Sequence, residues 1–197
     1  VPFVLYKASA PGIDMYVTEK GLTYVFIQAE EDEHEKEVDS KQSTIDNENE
    51  EEGERKIEWC RIDMELKGAS IRKENILKET PSLSDFNYFH PHCSEGIYGV
   101  KQYEKITIKD IYEGIDWVLY NSTSKGFKYD FIVHPNADPE QIKLLYRSKE
   151  KLLLDEKGNI HLSTYFGDII DHAPKTFYDE NKKRIVSSFT INNNIVK

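Results

Sequence analysis

Much of what would mark an enzyme or a membrane protein is scarce in this chain of 197 residues. It has only two cysteines, Cys60 and Cys93, too few for a disulfide framework and uninformative about redox compartment. It has no apolar run approaching the roughly 20 residues of a membrane helix, so membrane insertion is not expected. No Lys/Arg-rich stretch stands out, which argues against nucleic acid as a partner. No glycine-rich loop is placed to cradle a phosphate, and no serine or cysteine sits in a nucleophile elbow. No cofactor is expected. An N-terminal valine in place of methionine is expected of a processed product.

What is present is β-sheet chemistry. Twelve tyrosines and nine phenylalanines suit pleated, half-buried surfaces. Cys60, Ile62, Met64 and Leu66 alternate with Arg61, Asp63, Glu65 and Lys67, as in a strand with one wet face, and Trp59 joins the charged side. Tyr129, Phe131 and Val133 alternate in the same way with Asp130, Ile132 and His134. "LLLDEKGNIHL" reads as a hairpin with a Gly-Asn turn, "TFYDENKKRIV" as a second with a polar turn, and "SFTI" as a closing strand. The expected fold class is all-β, an antiparallel β-sandwich over residues 1–197, either one module or two lobes, 1–95 and 96–197.

The formal charge of −10 is concentrated. Residues 30–56 hold thirteen acidic and four basic side chains, and almost nothing apolar. Such a stretch cannot offset its ordering entropy by burial, and it reads as an acidic, mobile insertion loop. Asp46, Glu48 and Glu50 within it are calcium-ligand types, but the glycine and closing glutamate of an EF-hand loop are missing.

An internal echo links two segments. "PGIDMYVTEKGLTYVFI" (11–27) and "EGIDWVLYNSTSKGFKYDFI" (113–132) both run Gly-Ile-Asp, strand, Lys-Gly turn, Tyr-x-Phe-Ile. Gly12 matches Gly114, Asp14 matches Asp116, Gly21 matches Gly126, Tyr24 matches Tyr129 and Phe26 matches Phe131, with three more residues assigned to the second turn. Glycines there serve positive φ, and the aspartates bond to their own bends. In "HPNADP", Pro135 stops a strand and Asp138 caps a helical turn with Pro139 at its first position. His134 could be oriented by Asp130 or Asp138, yet it has no nucleophile nearby in sequence.

Other candidates are weaker. His90, His92 and Cys93 are zinc-ligand types, crowded together without a completing pair; Cys93 could instead pair with Cys60. Trp59 and Trp117 are the candidates for stacking sugars, although Trp117 stands at a strand start that favours burial. Asn121–Thr123 matches a glycosylation acceptor. Asp/Glu pairs are too common to exclude a glycoside hydrolase-like pair by counting.

"NYFHPHC", the Tyr112–Asp116 bend, Tyr129–Phe131 and the Ala137–Pro139 corner together resemble the N-terminal module of large secreted bacterial surface proteins. These proteins carry β-propeller-type (SBBP) repeats and gliding-motility-associated or type IX sorting domains at the C-terminus. Glu113 stands where that pattern has proline. The resemblance spans the chain apart from the acidic insertion. It implies an extracellular or cell-surface, non-catalytic module whose partners are other domains of the same protein, glycans or other surface proteins. It supplies no catalytic residue.

Overall fold

The structure, a computed structural model, describes residues 3–29, 57–90, 93–122, 126–148 and 151–197. The acidic stretch 30–56, with Asp46, Glu48 and Glu50, lies outside these, as do His92 and Thr123. The protein is all-β and antiparallel. Among the described residues, helix is confined to single 3-10 turns at Lys73–Asn75 and Pro139–Gln141.

One sheet runs in the order β1-β2-β3-β4-β11-β18-β17. Its strands are β1 (Val4–Ala10), β2 (Ile13–Thr18), β3 (Gly21–Ala29), β4 (Ile57–Leu66), β11 (Leu144–Arg147), β17 (Ile191–Asn192) and β18 (Ile195–Val196). A second runs β10-β9-β8-β5, from β5 (Ile76–Pro81), β8 (Tyr103–Tyr112), β9 (Ile115–Ser122) and β10 (Gly126–Val133). A third consists of β12 (Leu152–Leu154), β13 (Ile160–Thr164) and β14 (Gly167–Asp171). Two hairpins stand apart, β6 (Phe86–His90) with β7 (Cys93–Val100), and β15 (Thr176–Phe177) with β16 (Arg184–Ile185). Pairing crosses position 95 in three strand pairs, β4 with β11, β5 with β8 and β6 with β7.

Alternation decides which face is buried. Ile62, Met64 and Leu66 of β4 point inward while Arg61, Asp63 and Glu65 do not. Met15, Val17 and Leu22 join them, and Ile108, Trp117 and Leu119 of the second sheet complete one hydrophobic cluster. The third sheet adds Leu152, Ile160 and Leu162. Burying each such side chain is worth about 1.5–3 kcal/mol.

The echoed segments are equivalent hairpins, β2–β3 and β9–β10. Each bend holds a glycine at positive φ, 75° at Gly12 and 68° at Gly114. Each glycine carbonyl accepts one amide across the hairpin mouth, from Ile27 at 3.1 Å and from His134 at 2.9 Å. This bond corrects the residue matching. Counted from the bend, Ile13 faces Phe26 and Ile115 faces Val133, so Phe26 corresponds to Val133 and Tyr24 to Phe131. Of the three extra residues assigned to the second turn, two lie in the strand, since β2 has six residues and β9 eight. A shift of two keeps every side chain on its face.

The end of the chain also departs from expectation. "SFTI" is not one strand; only Ile191 of it enters β17, and β17 and β18 form a hairpin through Asn193 and Asn194 at φ 49° and 61°. Two consecutive positive φ values are the mark of a type I′ turn, which asparagine tolerates.

The closest approach in the main sheet is at Gly21. A β-carbon there would lie 2.1 Å from the Met64 carbonyl oxygen, and φ is 144°. Replacing Gly21 with alanine should destabilise the fold by more than about 2 kcal/mol, against about 1 kcal/mol for alanine at open Gly126. Denaturant midpoints of the two variants check the ranking.

Candidate functional site

The most elaborate polar arrangement lies on the outer face of the second sheet. There β8 bulges, with Lys109, Asp110 and Ile111 opposite Asp116 between the Ile108–Trp117 and Tyr112–Ile115 pairs. Asp110 adopts φ 49°, which turns its amide inward. The Asp116 carboxylate, 1% exposed, collects three donors. Asp110 N–H donates to Oδ1 at 2.9 Å, Lys109 Nζ to Oδ2 at 2.6 Å, and His134 Nε2 lies 2.9 Å from Oδ2. Burial pushes the Asp116 carboxyl up, but the bonds from Lys109, Asp110 and His134 outweigh it and hold the group below its ordinary value.

His134 is therefore oriented by Asp116, not by either expected aspartate. Asp130 accepts from Tyr120 Oη at 2.9 Å. Asp138 caps the 3-10 turn, accepting from Glu140 N–H at 2.9 Å with Pro139 at the first position. Gln141 reaches back to donate to the Asp138 and Glu113 carbonyls. Ala137 packs on the Gly114 bend so closely that a β-carbon at Gly114 would lie 2.9 Å from its own. The stretch 134–142 is a corner locked to the bend it follows.

The matching aspartate, Asp14, is bonded in a related way. Lys7 Nζ lies at 2.9 Å, and Ser9 Oγ donates at 2.6 Å. In both copies the lysine stands seven residues before the aspartate, in Lys-x4-Gly-Ile-Asp. That spacing extends the repeat to a three-stranded unit, β1–β3 and β8–β10, and was available in the sequence.

A second cluster lies between sheets. Tyr129 of β10 and Tyr146 of β11 both donate to Asp171 Oδ2 of β14, the latter at 2.9 Å. Burial raises the Asp171 carboxyl although both phenols and His172 oppose the shift. Burial, then neighbouring charge, pushes Tyr129 and Tyr146 well above the ordinary phenol range, and Tyr24 of β3 rises for the same reasons. Nothing local in sequence joins these four residues.

A third site of interlocked bonds is the β12–β13 turn. Asp155 accepts from the amides of Lys157 and Asn159, each at 2.8 Å, and from His161 Nε2 at 3.0 Å. Along the large sheet, beside β11 and the β17–β18 turn, an open groove is lined by Arg61, Leu145, Arg147, Ser148, Asn193 and Asn194 together with Tyr146. Its guanidinium groups are already paired, Arg61 with Asp63 and Arg147 with Glu65, both at 2.9 Å.

The remaining sequence candidates separate. Trp117 is wholly buried, stacked on Phe131 at 6.4 Å, so it cannot serve as a sugar platform; its indole N–H finds no partner. Its place on the inward face of β9 is the reason. Trp59 is 67% exposed. Cys60 and Cys93 are unpaired. Of His90 only the backbone is described, opposite Cys93. No helix among the described residues is long and apolar enough to cross a membrane.

Two titrations follow. Asp116→Asn should lower stability at neutral pH by roughly 1–3 kcal/mol. Because the folded value lies below the free one of 3.8, the difference from wild type is full above that pH and shrinks as pH falls through the folded value. Denaturation at a series of pH values measures it. At the alkaline end, free tyrosines ionise near 10 while Tyr129 and Tyr146 do so only well above it. Stability is then full below that pH and is lost above it, and phenolate absorbance should show these rings ionising only on unfolding.

No curated protein and no solved structure matches the chain. A sequence model described as a domain of unknown function, DUF7948, matches residues 2–197. The match takes in both copies of the repeat and all three clusters, and the chain belongs to that family.

Proposed function

We propose that this domain is a non-catalytic structural or interaction module of a large secreted bacterial protein at the cell surface, the setting implied by its resemblance to modules ahead of SBBP repeats and type IX sorting domains. Its partners are other domains of that protein and other surface molecules. One observation carries the non-catalytic part. The perturbed carboxylates of all three clusters, Asp116, Asp155 and Asp171, are each held by internal donors. A general acid or base needs a proton path to a substrate, and bonds already committed to the fold oppose that.

The glycoside hydrolase-like alternative needs two carboxylates facing across one cleft. Asp116 is on the outer face of the four-stranded sheet, opposite Ile132. Asp171 meets Tyr129, which projects from the other face of the same hairpin. One sugar ring cannot lie between them. Carbohydrate binding without turnover retains Trp59 as its single exposed indole.

The purified domain, assayed on chromogenic glycosides, esters and peptides, should give no turnover above buffer. Turnover that Asp116→Asn, Asp171→Asn or His134→Ala abolishes, in variants shown by circular dichroism to stay folded, would overturn the proposal.

A further inference from the structure

The internal repeat gives one surface a matched control inside the same molecule. In the second copy the chain leaves the sheet at His134, and Ala137 lies against the Gly114 bend. In the first copy the equivalent residue is Ile27, which donates to Gly12 as His134 donates to Gly114. There the chain does not turn. It continues in β3, pairing Gln28 with Glu58 and Ala29 with Ile57. The first bend is consequently uncovered: the atom nearest to a β-carbon at Gly12 is the Ile27 carbonyl oxygen, at 3.9 Å, and Pro11 and Gly12 are exposed.

Beside this open bend the sheet's outer face turns apolar. Ile27 and Trp59 are direct cross-strand partners, 45% and 67% exposed, and Ile57 follows on the same face of β4 at 62%. Further along this face the rungs turn polar: Val25 stands opposite Arg61, and Thr23 Oγ1 donates to Asp63, which also holds Arg61. A wet sheet face is normally polar, so three adjoining large apolar side chains at one end mark a surface that is covered in use.

Charge selects what covers it. The stretch joining Ala29 to Ile57 carries thirteen acidic and four basic residues. A second copy of the chain would bring the same charge and be repelled, and anionic lipid likewise. A partner with a basic rim would be attracted.

We propose that Pro11, Gly12, Ile27, Ile57 and Trp59 form a docking surface for another protein that presents an apolar, proline-containing corner flanked by lysine or arginine. This corner is the intermolecular counterpart of the segment 134–142 that covers Gly114. The inference rests on the interaction-module reading and names its partner's chemistry.

Trp59 reports on the site, because the chain has two tryptophans and Trp117 is wholly buried. The probe is a synthetic peptide of the chain's own corner, residues 132–142, extended at both ends by lysines; the control carries glutamates instead. The lysine peptide should blue-shift Trp59 emission and protect it from acrylamide. Its affinity should fall at least about tenfold at high salt or with the glutamate flanks. Ile27→Glu, an exposed substitution that keeps the reporter, should abolish the response. Equal binding of both peptides, no response at millimolar peptide, a response to polysaccharides instead, or a response that depends on protein concentration alone would each overturn the proposal. None of these outcomes produces turnover, so the broader module reading fails by a separate measurement.

Discussion

A carboxylate withdrawn from water must be met by donors, and Asp171 meets this requirement with phenols from two other sheets. It stands on β14, opposite Ile160 in the three-stranded sheet. Tyr146 reaches it from the seven-stranded sheet and Tyr129 from the four-stranded one. The apolar contacts of the core supply most of the folding free energy, but they are non-directional; side chains such as Met64 and Ile108, buried in one cluster, have no preferred azimuth. A hydrogen bond to one oxygen atom does. Displacing any one sheet by an ångström strands a phenol or a carboxylate, at a cost of about 1–3 kcal/mol for each group left unpaired. Burial drives the layers together, and Asp171 determines where they stop.

The two copies of the repeat show how one local pattern serves different surroundings. Both use a lysine seven residues upstream to neutralise the aspartate after the bend. Asp14 faces solvent more than Asp116, with 20% of its side chain exposed against 1%. Each carboxylate collects three donors, Asp14 from Lys7, Ser9 and Tyr16 and Asp116 from Lys109, Asp110 and His134, but only the buried one draws on the backbone, the β8 bulge rotating the Asp110 amide to Oδ1. The strained φ at Asp110 is thus offset by a charge-assisted bond that a regular ladder could not make. His134 adds a third donor only because the second hairpin ends one residue past Val133 and closes over its own bend.

Period-two alternation was readable in β4 because one face is buried, as Ile62, Met64 and Leu66 state directly, and in β10 because Tyr129 and Phe131 are half-buried while Asp130 and Ile132 are exposed. Hairpins at "DEKGN" and "DENKK" were readable because their turn residues act locally. The Asp171 cluster was not, since its members are separated by as many as 42 residues in a single bond, and nothing in the stretch around Asp171 marks it as buried. Both tryptophans lie within strands, Trp59 in β4 and Trp117 in β9, yet one is wholly buried and the other open, because pleat and layer together decide exposure. The orientation of His134 by Asp116 depended on the hairpin register, in which Asp116 faces Ile132 and His134 follows two residues later.

The open end of the large sheet has a geometric origin. β2 stops pairing at Ile13 opposite Phe26, and past the bond from Ile27 N–H to the Gly12 carbonyl, Gln28 and Ala29 are paired with β4 alone. Beyond that point the sheet is a two-stranded ribbon. A ribbon has two edges close together and little behind it, so Ile27, Ile57 and Trp59 cannot all turn toward a core. Apolar side chains on such a ribbon would ordinarily invite pairing between copies. Here the residues linking its strands carry a large excess of negative charge, and that charge is repeated on every copy. Like-charge repulsion, roughly on the scale of the Debye length of about 8 Å at physiological salt, opposes self-association while leaving the apolar surface accessible to a surface of opposite sign. The charge carried by the sequence between Ala29 and Ile57 therefore acts as the filter on what approaches the apolar surface of Ile27, Ile57 and Trp59.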